Sequence, residues 1–215
     1  MKKFFMAALA LLSGYAQAEV ADVGIWEPYA GRVADLRDVA MEARTISQKL
    51  GLEVFIGLDQ SNNLHYANTA DSWESWAKQQ AMLAASAEWQ AFIAKFEADP
   101  SGKQVNTFHV FSPVVAETKA VSIVYSWDVF QGRTNEFLTS AQEAAAIQTK
   151  LGASVGMHID DLGDVHYEVT FDSWEAWARW DTAMANSEEW GTFWSATNED
   201  PSGELVKVYR VNVVP

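Results

Sequence analysis

The segment Asp71-Ser72-Trp73-Glu74 recurs 101 residues further along the chain as Asp172-Ser173-Trp174-Glu175, and this repetition decides the fold. The same offset, without a gap, aligns further groups: Trp26 with Trp127, Gly31-Arg32 with Gly132-Arg133, Lys49-Leu50-Gly51 with Lys150-Leu151-Gly152, His65-Tyr66 with His166-Tyr167, Trp89 with Trp190, and Asp99-Pro100-Ser101-Gly102 with Asp200-Pro201-Ser202-Gly203. An ungapped period of this length indicates two similar units in tandem. We therefore divide the chain into a first half, residues 19–113, a linker, residues 114–119, and a second half, residues 120–215.

The first part of each half predicts a strand, a helix and a hairpin. Residues 121–127 are rich in β-branched and aromatic side chains, as strands are. Apolar residues then recur at spacings of three and four up to Leu50 and again up to Leu151, which predicts an amphipathic helix that a glycine ends. Two short apolar runs flank the polar turns 59–63 and 160–164, so each half continues with a β-hairpin.

The second part of each half predicts another helix and a last strand. The spacing of Asp71 and Glu74, and of Asp172 and Glu175, is that of a capping box at a helix start. Serines at 86 and 187 predict a break and restart, Asp-Pro pairs end the helix, and strands follow over about 105–111 and 205–213. The order β-α-β-β-α-β, twice, predicts an α+β fold of two ferredoxin-like units whose sheets pack face to face.

With these elements in place, the chain resembles the dimeric α+β barrel superfamily, which includes antibiotic-biosynthesis monooxygenase-like and NIPSNAP-like proteins. The resemblance rests on the doubled unit, the D-S-W-E-x-W helix start, the later Glu-Trp and the Asp-Pro-Ser-Gly helix stop. It implies that the two halves form one such barrel within the chain. The superfamily holds cofactor-free oxygenases, haem-degrading enzymes, isomerases and proteins without known activity, so the resemblance carries no functional residue over.

Composition and the N-terminus restrict the partners and the compartment. The net charge is −14 and there is no cysteine, which disfavours nucleic acid and anionic membranes and excludes thiolate sites. Residues 1–18 predict a signal peptide, with Lys2 and Lys3, a short apolar run and a small-residue cleavage site at Ala18. We expect a periplasmic or secreted soluble protein that binds no haem, flavin or nicotinamide. Because the halves pair within the chain, a monomer is sufficient.

The second-half hairpin holds the main candidates for chemistry. Strand alternation places His158, His166 and Glu168 on one face of the hairpin, with His158 and His166 as cross-strand neighbours. Two imidazoles and a carboxylate are a possible divalent-metal triad, and His166 with Glu168 is a possible proton-transfer pair. The alternative is that these residues line the contact between the sheets and hydrogen-bond one another. The matching first-half residues are Gly57, His65 and Ala67.

Tryptophan supplies a second candidate site. Eight of the ten tryptophans form four repeat pairs, but Trp180 and Trp194 correspond to Gln79 and Ile93 in the first half. The asymmetry predicts an aromatic pocket in the second half, with ordinary divergence of a duplicated core as the alternative. The candidate ligand-binding residues are Trp174, Trp177, Trp180, Trp194 and Arg210.

Three functions remain open on the sequence alone. The first is binding of a small apolar or aromatic molecule between helices and sheet, mainly in the second half. The second is cofactor-independent oxygenase or isomerase chemistry that uses a pocket histidine. The third is a structural or interaction protein of the cell envelope, whose own tryptophans fill its pockets.

Overall fold

The computed structural model describes residues 19–215, and the signal peptide predicted for residues 1–18 lies outside this part of the chain. The elements of the first half are β1 (Glu19–Pro28), α1 (Val33–Lys49), β2 (Glu53–Asp59), β3 (Leu64–Ala70), α2 (Trp73–Ala85), α3 (Ala87–Ala98) and β4 (Gly102–Val114). Those of the second half are β5 (Val121–Val129), α4 (Thr134–Lys150), β6 (Ser154–Asp160), β7 (Val165–Phe171), α5 (Trp174–Ala185), α6 (Glu188–Glu199) and β8 (Gly203–Val213).

All eight strands close into a single antiparallel barrel in the order β1-β3-β2-β8-β5-β7-β6-β4. Each half contributes four neighbouring strands, and the halves join where β2 pairs with β8 and β4 pairs with β6. Since every neighbour is antiparallel, the matching strands β1 and β5 run in the same direction, and the approximate twofold axis lies along the barrel. The expected α+β barrel is therefore confirmed.

The helices cover the outside of the barrel. In the second-half hairpin, the apolar face that includes Val155, Met157 and Tyr167 packs into the main hydrophobic core with Phe137 and Trp180 of the helices. This is the face that alternation predicts for the helix layer, so His158, His166 and Glu168 point into the barrel. Among residues 19–215, no helix combines the length and apolar character needed to cross a membrane.

The helix starts differ from the prediction by one residue. Ser72 and Ser173, and not the preceding aspartates, are the N-caps of α2 and α5, and their hydroxyls accept hydrogen bonds from the backbone N–H groups of Ser75 and Ala176. A serine accepts this bond as well as an aspartate does, so the spacing alone did not distinguish them. The predicted break is present: Ser86 and Ser187 cap α3 and α6 in the same way.

An aspartate shapes the tip of each hairpin. In the second half, Oδ1 of Asp160 accepts hydrogen bonds from the backbone N–H groups of Leu162 and Asp164, at 2.9 and 3.0 Å. Asp59 makes the same bonds in the first half, to Ser61 and Asn63. Both aspartates close the turn with Oδ1, and the Oδ2 of each meets a histidine ring inside the barrel; Oδ2 of Asp59 also accepts from the side-chain amide of Asn63.

Candidate functional site

The second half borders two cavities, one on each side of the barrel wall. The first, which we call the barrel cavity, lies inside the barrel and has a volume of about 190 Å³. The second, which we call the outer pocket, lies between the second-half sheet and helices α4, α5 and α6 and has a volume of about 470 Å³. The predicted site residues are divided between them: His158, His166 and Glu168 line the barrel cavity, and Trp180 and Trp194 line the outer pocket.

Inside the barrel, His158 and Glu168 form a pair that is held at both ends. Nε2 of His158 lies 3.2 Å from Oε2 of Glu168, and Nδ1 of His158 lies 2.7 Å from Oγ of Ser112 on β4. The hydroxyl of Ser122 on β5 donates to the other carboxylate oxygen of Glu168. Burial raises the pKa of Glu168, but the bond and charge of His158 and the bond from Ser122 outweigh burial, so the pKa is lowered overall. Glu168 is therefore a carboxylate at neutral pH.

His166 has a different partner from the one predicted. Its Nε2 lies 3.1 Å from Oδ2 of Asp160 and its Nδ1 lies 2.9 Å from Oγ of Ser126, while its ring stacks on Phe108 at 5.0 Å. Burial lowers the pKa of His166 in spite of the aspartate, which favours the neutral ring. The carboxylate then accepts Nε2–H, and Nδ1 accepts the serine O–H. The proposed proton-transfer pair of His166 with Glu168 is not formed.

The structure does not bring the three side chains of the predicted metal triad together on one point. Although His158 and His166 are cross-strand neighbours as expected, each ring turns to a carboxylate on the diagonal position of the opposite strand. The two Nε2 atoms therefore serve different carboxylates and do not converge with Glu168 on a common point. Within residues 19–215, no group of three or more His, Asp or Glu side chains is arranged to hold a metal ion.

The opposite wall of the barrel cavity lacks the counterparts of His158 and Glu168. At the positions of His158 and Glu168 the first half has Gly57 and Ala67, and a Cβ atom at Gly57 would collide with the side chain of Val211. Only the His-Asp pair recurs there: Nε2 of His65 lies 3.3 Å from Oδ2 of Asp59. The pair of His158 with Glu168 therefore belongs to the second-half wall alone, while Glu19, His65 and Thr69 line the first-half wall.

On the outside of the wall, aromatic side chains dominate the outer pocket. Trp180 is 6% exposed, and its Nε1 is buried without a hydrogen-bond partner in the described structure. The tryptophans of α6 stack on each other, with the ring centroids of Trp190 and Trp194 5.6 Å apart. The other aromatic members of the lining are Tyr125, Trp127, Phe137, Tyr167 and Phe193. One acidic group, Asp181, is present in the lining, and no histidine is.

Three predicted ligand-binding residues lie elsewhere. Trp174 and Trp177 do not line the outer pocket; they pack edge to face at 5.6 Å, and Nε1 of Trp174 donates to Asn212. They occupy the first turn of α5, on the N-terminal side of Trp180. Arg210 is exposed on β8, outside the lining of both cavities, and its backbone N–H donates to Oε1 of Gln60.

One further residue, Thr197, makes the outer pocket large and was not among the predicted site residues. The equivalent pocket of the first half measures about 240 Å³, and Phe96 partly fills it by packing edge to face on Trp26 at 5.6 Å. The second half has Thr197 at the position of Phe96. Aligning the two halves, which identified Trp180, also shows this change. A smaller residue in one half opens space there, so it is as useful a signal for a pocket as an added aromatic residue.

Comparisons with known proteins show similarity in structure alone. No family model and no curated protein matches the chain. A putative monooxygenase from Fusobacterium nucleatum subsp. nucleatum superposes with a TM-score of 0.66 at 10% identity, over 92% of this chain and 93% of that one. An anthrone oxidase-like protein gives 0.63 at 12% identity, over 93% and 92%. A heme-binding protein from Thermus thermophilus gives 0.51 at 11% identity, over 93% and 92%.

These likenesses extend over nearly the full length of the described chain and of its neighbours, so they concern the complete barrel. At identities this low they carry information on fold and none on activity. The chain therefore shares the α+β barrel fold of these structures.

Proposed function

We propose that this is an exported protein that binds a small apolar or aromatic molecule in the outer pocket of its second half. The observation that carries the proposal is the size and lining of that pocket. Its volume of about 470 Å³ lies in the range of small-molecule sites and is about twice that of its first-half equivalent. A structural protein whose own tryptophans filled its pockets would not keep this space open.

The chemistry of the lining narrows the ligand class. Flat rings fit between the stacked tryptophans of α6 and the sheet, because aromatic side chains favour offset and edge contacts with other rings. The buried Nε1–H of Trp180 has no acceptor within the described chain, and leaving such a donor unpaired costs about 1–3 kcal/mol. Nε1 has almost no exposed surface, so a ligand oxygen reaches it when the Trp180 ring turns toward the pocket, and the hydrogen bond then removes the cost. We therefore expect an aromatic molecule with a carbonyl or hydroxyl oxygen.

The names of the structural neighbours fit this class. One refers to anthrone oxidase and another to heme binding, and both names refer to flat conjugated ring systems. A histidine-ligated haem does not fit the outer pocket, since no histidine lines it. The same absence of imidazole disfavours an oxygenase or isomerase that uses His166 on a molecule in this pocket, because the barrel wall lies between them.

The test uses two probes of nearly equal shape, 2-acetylnaphthalene and 2-ethylnaphthalene, titrated by tryptophan fluorescence. We expect binding of both, and tighter binding of the ketone. Trp180→Phe keeps a ring but removes the donor, so it is expected to weaken the ketone about fivefold and to leave the hydrocarbon nearly unchanged. Gln79→Phe, at the matched position of the first half, is the control and is expected to change neither.

Two results would contradict the proposal. If neither probe binds at its solubility limit, the outer pocket is not a site for this class. If Gln79→Phe weakens binding as much as Trp180→Phe does, the ligand does not occupy the second half. The export part is checked separately, because N-terminal sequencing of protein from its host is expected to begin at Glu19.

A further inference from the structure

The barrel cavity has the size of a ligand site and a defined end. The linker crosses this end: the backbone N–H of Glu117 donates to Oγ of Ser154 at 2.9 Å, and the hydroxyl of Thr170 donates to the carbonyl oxygen of Glu117 at 2.7 Å. Gly156 allows this approach, since a Cβ there would lie 3.1 Å from the backbone nitrogen of Ala116. A volume of about 190 Å³ exceeds the roughly 150 Å³ of an apolar cavity that holds benzene.

The walls of this cavity combine a ring-binding surface with one buried acid. Phe55, Phe108 and Tyr209 line the cavity together with aliphatic side chains of both halves. The buried acid is Glu168, whose side chain is 17% exposed. Its two oxygens accept from Ser122 and His158 and retain lone pairs, because a carboxylate offers about four acceptor sites.

The charges around the cavity disfavour an anion. Glu19 and Glu117 join Glu168 in the lining, and the single amine of the lining is that of Lys119. Nζ of Lys119 lies 3.5 Å from Glu117 and 3.7 Å from Asp172, so its charge is shared by carboxylates at the linker. The neutral form favoured at His166 adds no positive charge, and the ring of His158 meets only one of the two Glu168 oxygens. A cation that enters meets a carboxylate and aromatic faces, both of which attract it.

We propose that the barrel cavity is a second ligand site, which takes a small primary amine with a ring-sized apolar body and holds its ammonium group at Glu168. The body lies against the aromatic and aliphatic wall. The ammonium group donates to the carboxylate, which keeps its bonds to Ser122 and His158. This site is independent of the outer pocket, because the two face opposite sides of β5 and β7.

The experiment compares benzylamine, benzyl alcohol and benzoate, titrated into the mature protein by isothermal calorimetry at pH 7. We expect benzylamine to bind at least tenfold more tightly than the alcohol, and benzoate not to bind. Glu168→Gln keeps the size and hydrogen bonding of the side chain and is expected to weaken benzylamine at least tenfold. Glu175→Gln removes an exposed carboxylate from the same half and is expected to change nothing.

Two further variants keep the test independent of folding and of the outer pocket. Ala67→Leu fills the cavity from the opposite wall while Glu168 remains, and is expected to abolish benzylamine binding. Trp180→Phe is expected to leave it intact. The proposal is overturned if benzylamine does not bind, if the alcohol binds equally tightly, or if benzoate binds more tightly. It is also overturned if Trp180→Phe abolishes benzylamine binding and Glu168→Gln does not. None of these outcomes depends on whether the naphthalene probes bind the outer pocket.

Discussion

Replacing Thr197 with phenylalanine copies the first half into the second, because Phe96 occupies the equivalent position. The added ring has a place to go: in the first half Phe96 packs edge to face on Trp26, and Trp127 is the matching partner in the second half. We expect the outer pocket to shrink from about 470 Å³ toward the 240 Å³ of its counterpart.

The expected effects on stability and on binding have opposite signs. Full burial of a phenylalanine side chain contributes about 1.5–3 kcal/mol, and a half-buried position gains about half of that, or roughly 1 kcal/mol. For a chain of this length, that corresponds to a rise in Tm of about 2–4 °C. Binding of 2-acetylnaphthalene is expected to fall at least tenfold, because its rings and the new side chain compete for the same space.

The assay pairs thermal unfolding by circular dichroism with the fluorescence titration. The matched control is Phe96→Thr, which is expected to lower Tm and to enlarge the first-half pocket without weakening binding in the second half. Unchanged affinity of Thr197→Phe for the ketone, combined with a raised Tm, would refute the reasoning, since the ring would then be packed and the ligand undisturbed. A lowered Tm would show that the second half cannot accommodate the first-half packing.

Three other measurements test the barrel interior and the cofactor expectation. Hydrogen bonds outweigh burial at Asp59 and lower its pKa to about 2, so the ionised side chain stabilises the fold above about pH 4 and this stabilisation is lost as the pH falls through about 2. Asp59→Asn is expected to lower the free energy of unfolding by about 2 kcal/mol at pH 7 and to weaken its dependence on pH between about 4 and 2, as measured by urea unfolding. Because burial lowers the pKa of His166, the unfolded chain binds the proton more readily, and the stability of the fold decreases below about pH 6.5. His166→Gln is expected to reduce this change of stability with pH between about 7.5 and 5.5, and an unchanged dependence would assign it to other groups. An absorption spectrum of protein purified from its host is expected to lack a Soret band, and the presence of one would disprove the absence of haem.

The fold could be predicted because one periodicity contains most of it. The offset of 101 residues defines two equal units. In the hairpin, a turn centred on Leu162 gives the register of His158 opposite His166, and alternation gives the face that meets the helices. Closure of the sheets into one barrel depends on the pairing of β2 with β8 and of β4 with β6. No local pattern encodes that pairing, so here the prediction depended on the resemblance.

The site could be predicted in its residues but only partly in its contacts. Alternation shows which side chains share a face, but it does not show which way an imidazole turns. The partner of His166 is Asp160, a residue that the sequence pattern assigns to a turn. In the structure Asp160 is the last residue of β6, on the same face as His158. Trp180 also could not be placed relative to the histidines, because helix and strand periodicities carry no information about each other.

The continuity of the chain between the two halves has a consequence for what the barrel can contain. In a barrel made by two identical subunits, any change on one wall appears on the other. A glutamate would then stand at the place of Ala67 as well as at 168, and a histidine at the place of Gly57 as well as at 158. Two buried carboxylates in so small a volume would repel each other, and the added side chains would occupy the space. Because the six residues of the linker join the halves, each wall can mutate alone. The second half can hold His158 and Glu168 while the first half keeps Gly57 and Ala67 at the matching places.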